Sequence, residues 1–115
     1  MPATYDDAKL VVQLLSWGTQ MGLPEAVSAV LADDFDPDRA SANDSDVRAL
    51  LSFGETIGTF VKHDVLDRAF ADDLWWMQGT WAKVGPAALR LRERLGEPRL
   101  YENFEALAGG SVSST

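Results

Sequence analysis

The chain has 115 residues, 46% hydrophobic and 24% charged, with a net charge of -8 from 18 acidic and 10 basic side chains; that length fits one globular domain with a real core and leaves no room for a second. The absence of cysteine excludes disulfides, thiolate zinc sites, iron–sulfur clusters and cysteine nucleophiles. The acidic balance opposes nucleic acid and anionic membranes as partners, no apolar run approaches the roughly 20 residues of a bilayer span, and the acidic start carries no signal-peptide pattern, so a soluble, cytoplasmic protein is expected.

Alanine and leucine (29 together) outnumber valine and isoleucine (10 together), a bias toward residues that keep rotamer freedom in helices. An all-α fold is expected, a compact bundle of five or six helices in a single domain over 1–108, with a disordered tail over 109–115.

The first helix is predicted from about Asp6 to Met21. Leu10, Leu14, Trp17 and Met21 recur every three to four residues, Val11, Leu15 and Gly18 widen the stripe, and Thr4 and Asp7 form a capping pair. Gly22 ends this helix and Pro24 opens a second, shorter one to about Ala32, with Val27, Val30 and Leu31 inward. Residues 33–46, rich in Asp, Ser and Asn, read as the one long loop. The third helix, about 45–63, carries apolar residues over more than half its circumference, from Val47 to Val61, and is expected to be central. A fourth helix is predicted from about Asp67 to Lys83 on the stripe Phe70, Leu74, Met77, Trp81 and Val84. Gly85-Pro86 should stop it and start a fifth with Leu91, Leu95 and several arginines. A last helix, about Leu100 to Ala108, should bury Leu100, Phe104 and Leu107.

Among candidate sites, Asp33, Asp34, Asp36 and Asp38 resemble a calcium loop, but Arg39 and Ser45 stand where an EF-hand needs Gly and Glu, so a turn with helix caps is the reading. Gly54 and Gly58, one turn apart on the core side of the third helix, permit close approach of a neighbour or border a pocket. Glu55, at the edge of that face, is a candidate for a buried ion pair with Arg48, Lys62 or an arginine of the fifth helix. Acid–base catalysis would need Asp72 or Asp73 beside it. The single histidine, His63, excludes a two-histidine metal site within one chain and suits a helix C-terminus. No catalytic residue, metal or cofactor is assigned.

The tryptophans carry the surface signal. On a continuous fourth helix Trp81 lies within the apolar stripe, Trp76 outside its edge and Trp75 nearly opposite, with Gly79 leaving a notch one turn on. Trp75, Trp76 and Gly79 are therefore interaction candidates.

The run Phe53-Gly54-Glu55-Thr56-Ile57-Gly58, followed by Val65-Leu66-Asp67, Trp81, Pro86, Arg90 to Arg94 and Tyr101-Glu102-Asn103-Phe104, resembles a family of small helical bacterial proteins of unknown function. Its pattern is an aromatic-x-Glu-x-Ile-Gly helix, a Leu-Leu-Asp turn and a closing Tyr-x-x-Phe. The likeness covers about residues 35–108 and departs from the pattern at Val65, where leucine is usual, and at His63-Asp64, where a glycine turn is usual. The resemblance implies an all-helical fold and no particular chemistry.

The expected function is a noncatalytic interaction module, acting on itself or on another protein. The alternative is a binding protein for a small apolar or aromatic ligand between the third and fourth helices, where Gly54, Gly58, Trp76, Met77 and Trp81 would leave space. A further alternative, an acidic mimic of nucleic acid, rests on residues 1–82, which hold fourteen acidic and five basic side chains.

Overall fold

In the computed structural model, which describes residues 3–109, the chain forms six helices: α1 (Tyr5–Gln20), α2 (Leu23–Leu31), α3 (Ser45–Lys62), α4 (Arg68–Leu74), α5 (Met77–Leu95) and α6 (Glu102–Leu107). No strand occurs among the described residues. The tail expected from residue 109 lies, apart from Gly109, outside them.

The central place of the third helix follows from its breadth of apolar surface. Val47, Leu50, Leu51, Phe53, Gly54, Ile57 and Gly58 are all buried, and α2, α4, α5 and α6 pack around them, α6 most extensively. No described helix is long and apolar enough to cross a membrane.

The start of α1 is held by the capping box that Thr4 and Asp7 predict: the Asp7 amide donates to Thr4 Oγ1 at 3.2 Å and the Thr4 amide to Asp7 Oδ2 at 2.7 Å. Asp7 reaches further than its own helix. It is only 7% exposed, and its Oδ1 accepts the Asp67 amide at 3.1 Å, joining the start of α1 to the cap of α4 sixty residues on. Asp67 in turn accepts the Phe70 amide at 3.0 Å. Along α1, Val11, Leu14 and Gly18 face inward, but Leu15 does not widen the buried stripe. It is 48% exposed, because α1 lies at the edge of the bundle with α2 as its main neighbour. Leu31 is likewise exposed at the end of α2.

The loop between α2 and α3 is tied down from α5. One Nη of Arg90 donates to the carbonyls of Pro37 and Ala40, at 2.9 and 2.6 Å, while Ala42 is buried and Phe35 packs against the core. Its aspartates serve the turns: Asp36 accepts the Asp38 amide and Asp44 the Ser41 amide, each at 3.0 Å.

At the end of α3, Asp64 takes the left-handed conformation (φ 59°). This turn brings the amides of Val65 and Leu66 to the Phe60 carbonyl at 2.8 and 3.2 Å, satisfying the last turn of the helix, and His63 caps it through its backbone. Aspartate takes here a conformation that glycine adopts more readily.

The principal departure from the expected elements lies between Arg68 and Leu95. One helix through residue 83 would set Trp75 and Met77 about 200° apart, on opposite faces. Instead the chain is extended at Trp75 (φ -131°, ψ 137°), and alternation puts residues two apart on the same side. Met77 is buried and Trp75 half-buried with its ring edge-on to Phe53, centroids 5.6 Å apart, while Trp76 is turned outward. The break thus falls at the tryptophans and not at Gly85-Pro86. Pro86 sits inside α5, whose residues on either side of it, Val84, Ala87 and Ala88, are fully or nearly fully buried. Their burial outweighs the one backbone hydrogen bond that proline removes.

Two predictions follow from these joints. Replacing exposed Asp64 by glycine removes a left-handed strain of about 1 kcal/mol, so D64G should unfold about 4 °C higher than the parent in a thermal melt. Asp7 is held below the ordinary carboxylate value of 3.8, first by the Thr4 amide, against the opposing effect of burial, with further help from the Asp67 amide and the Thr4 hydroxyl. A lowered carboxylate stabilises the fold above its unfolded pKa and ceases to do so as pH falls through the folded one. Asp7→Asn should therefore be less stable at pH 7, and in urea melts the gap should close below pH 3.8.

Candidate functional site

Gly54, Glu55 and Gly58 act together as a receptor for α6. A Cβ at Gly54 would overlap the ring of Phe104, and one at Gly58 would overlap the Asn103 carbonyl. With both side chains absent, the first turn of α6 lies against the α3 backbone. Glu55 meets that turn. Its Oε1 accepts the amides of Asn103 and Phe104, both at 3.0 Å, and its Oε2 accepts Asn103 Nδ2 at 2.8 Å. Thr59 Oγ1 receives a second bond from the same Asn103 amide at 3.2 Å and itself donates to the Glu55 carbonyl at 2.7 Å.

The ion pair expected for Glu55 is thus replaced by a helix cap supplied from another helix. The reason is spatial: the two glycines bring unpaired amides of α6 within reach first, and two of the α5 arginines are committed elsewhere. Arg90 holds the loop, and Arg92 donates from Nε to the Leu100 carbonyl at 2.7 Å, with one Nη 3.0 Å from Glu105 in an ion pair poorly aligned for a hydrogen bond. Asn103 and Thr59 were not singled out from sequence. The one sequence signal for Asn103 is its place inside the closing Tyr-x-x-Phe; Thr59 carries none.

Phe104 is fully buried and meets Trp81 edge-on, centroids 5.0 Å apart. Trp81 in turn covers Gly85, where a Cβ would come within 2.6 Å of the indole. Of the expected pocket residues, Trp81 packs against Gly85 and Phe104, Gly58 packs against α6 and borders the groove beside it, and Gly54 and Met77 border an open cleft. This cleft, of about 260 Å³, lies between α2, α3 and the α4–α5 junction. Phe53, Gly54 and Phe104 form its floor and Leu23, Val27 and Met77 its walls. Around its mouth stand Leu31, Leu74 and Trp76, the last 66% exposed. Thr80 also lines it, with its hydroxyl engaged by the Trp76 carbonyl at 2.7 Å.

The interaction candidates separate here. Trp76 is the exposed one, and Trp75 is drawn inward against Phe53. Gly79 forms a notch for Trp76: a Cβ there would overlap the indole, so glycine lets the ring lie along the first turn of α5.

The other titratable groups do not gather around Glu55. Asp72 pairs with Arg68 at 3.6 Å and Asp73 is exposed. Among the described residues no three His, Cys, Asp or Glu side chains are placed to hold a metal ion. A shallow groove of about 480 Å³ beside α6 is lined by Lys62, Arg68 and Arg99, but Glu102 lies among them. Arg99 forms a fork on Glu102 with a closest approach of 2.7 Å, which lowers the Glu102 pKa and raises that of Arg99.

The cap on α6 is testable by denaturation. Glu55→Ala strands two backbone amides and should cost about 2–3 kcal/mol; Glu55→Gln keeps an acceptor oxygen and should cost about half as much. Gly58→Ala should cost about 1–3 kcal/mol by overpacking, and all three should change the near-ultraviolet dichroism of Trp81 as Phe104 loosens.

No match to the chain was found among curated proteins or among solved structures. A family model described as a domain of unknown function, DUF4760, matches residues 7–111, and that span takes in the capping Asp7, the α3 receptor and the whole of α6. The chain belongs to the DUF4760 family of domains of unknown function.

Proposed function

We propose that this domain is a noncatalytic protein-interaction module that docks an apolar segment of a partner protein into the cleft at the α4–α5 junction. The observation that carries this reading is the exposed apolar rim of Leu31, Leu74 and Trp76 around an apolar floor. Exposed tryptophan beside a preformed pocket is the usual anchor of a protein contact. The cleft, of about 260 Å³, suits one or two apolar side chains of an inserted helix or strand.

Charge gives the partner's chemistry. Asp72 and Asp73 precede Leu74, and Asp33 and Asp34 follow Leu31 by two and three residues, all four exposed. A segment with apolar anchors flanked by Lys or Arg complements this rim, and the acidic border excludes acidic competitors. Catalysis through Glu55 is disfavoured because both its carboxylate oxygens are engaged in capping α6. The nucleic-acid mimic is disfavoured because several carboxylates of residues 1–82 are turned to backbone amides, as at Asp7, Asp36, Asp44 and Asp67.

The test is selection from a displayed peptide library, followed by titration of synthetic winners. Expected are peptides with paired apolar residues between basic ones, weakened at least tenfold by Trp76→Ala, about 1.4 kcal/mol. Charge reversal at Asp72 and Asp73 should weaken them further, most at low salt. Winners that bind Trp76→Ala as well as the parent, or no winners at all, would overturn the reading.

A further inference from the structure

The exposed side of α1 carries a second apolar stripe. Tyr5, Val12 and Leu15 are 78%, 67% and 48% exposed, and with Ala8 and Thr19 they stand at positions 5, 8, 12, 15 and 19. That alternation of three and four residues is the a/d spacing of a coiled-coil seam. It runs beside the buried stripe of Val11, Leu14 and Gly18, so α1 has one apolar face more than its own domain uses. Thr19 adds no free donor, because its hydroxyl is bonded to the Leu15 carbonyl at 3.0 Å.

Charge identifies what fits it. Residues 10–24 contain no Asp, Glu, Lys or Arg, although Val12, Gln13, Leu15, Ser16, Thr19 and Gln20 are all exposed. In a chain of net charge -8, two copies repel one another over most orientations. From Leu10 on, the α1 face lets them meet without opposing carboxylates, and at its start exposed Asp6 is accompanied by Lys9, whose Nζ lies over the Tyr5 ring, 5.5 Å from its centroid; a heptad-spaced stripe is complementary to itself under a two-fold axis. A basic partner would gain little from a face that is uncharged from Leu10 on and carries Lys9 beside Asp6 at its start. We propose that α1 pairs with α1 of a second copy of this chain, forming a homodimer through Tyr5, Ala8, Val12, Leu15 and Thr19.

The size of the seam sets the strength. Sixteen residues make a helix about 24 Å long, and a stripe about 10 Å wide on it gives roughly a third of the 800 Å² per partner of a standard interface. The dimer should therefore be reversible. It leaves the cleft at Trp76 free, so this proposal stands or falls separately from partner docking.

Sedimentation equilibrium of the whole chain from about 1 μM to about 1 mM, at low and high salt, tests it. The mass should rise with concentration from 12.6 kDa toward twice that value, and association should tighten severalfold with salt as like-charge repulsion is screened. Val12→Glu with Leu15→Glu should hold the monomer mass throughout while the far-ultraviolet dichroism stays that of the parent. Val12→Ser with Leu15→Ser, which adds no charge, should weaken the dimer to a lesser degree and covers the case in which the glutamates disturb folding. A parent chain that stays monomeric at every concentration and salt would overturn the proposal. So would a dimer that survives both α1 variants, including one lost instead on Trp76→Ala.

Discussion

A helix of six residues does not hold itself together in water, because the first turn costs more conformational freedom than one hydrogen bond returns. α6 nevertheless forms, after a left-handed Tyr101 and with no capping side chain of its own. What secures it is a carboxylate from α3. Glu55 supplies at once the acceptor that two α6 amides lack and an anion at the positive end of the helix, and the Asn103 side chain closes the arrangement. The glycines on either side of it work sterically. Without a Cβ at Gly54 and Gly58 the approach is close enough for those bonds, and Phe104 fills the space that Gly54 vacates.

The rest of the core is arranged around that clasp. Phe104 meets Trp81 on one side of α3, while Phe53, the neighbour of Gly54, stacks with Trp17 at 5.4 Å and meets Trp75 edge-on. Consecutive residues on a helix point about 100° apart, so the two aromatic groups diverge from adjacent positions of α3. The cleft opens where they part, with Phe53, Gly54 and Phe104 as its floor. A change that loosened α6 would remove Phe104 from that floor, so the stability of the clasp and the shape of the cleft are coupled.

Much of this was legible in the chain. The apolar periodicity of residues 47–61 identified α3 and its central place, Thr4 with Asp7 announced a capping box, and Gly54 with Gly58 announced a close approach. Local pattern could not show what made the approach. Glu55 looked like a residue in need of a cation because an isolated carboxylate on an apolar border must be neutralised by something; that the something is a pair of peptide amides depends on contacts 48 and 49 residues away. The α4–α5 break was hidden for a related reason. The helical stripe through Phe70, Met77, Trp81 and Val84 is continuous, and the contact of Trp75 with Phe53 that accompanies the extended turn is not written in local pattern. Pro86 misled in the opposite sense, since a proline signals a boundary while burial on both sides of it carries the helix through. On α1, the seam at 5, 8, 12, 15 and 19 overlaps the inward stripe, and Leu15 fits both until the neighbours of α1 are known.

These features give the domain two apolar surfaces with opposite electrostatic settings, and the setting decides what each can meet. Four exposed aspartates stand within three residues of the rim residues Leu31 and Leu74 in sequence, Asp72 among them paired with Arg68, a setting that would repel an identical acidic copy and favour a basic segment. From Leu10 on, the α1 face carries no charged side chain, and at its start exposed Asp6 and Lys9 are of opposite sign, so it offers little to a basic segment while reducing the penalty that two copies of net charge -8 would otherwise incur. Salt acts on the two in opposite directions, weakening attraction at the acidic rim and relieving repulsion between copies. A pair joined along α1 would carry two clefts, and a partner presenting two basic apolar segments at the matching distance would be held more tightly than one by effective concentration alone.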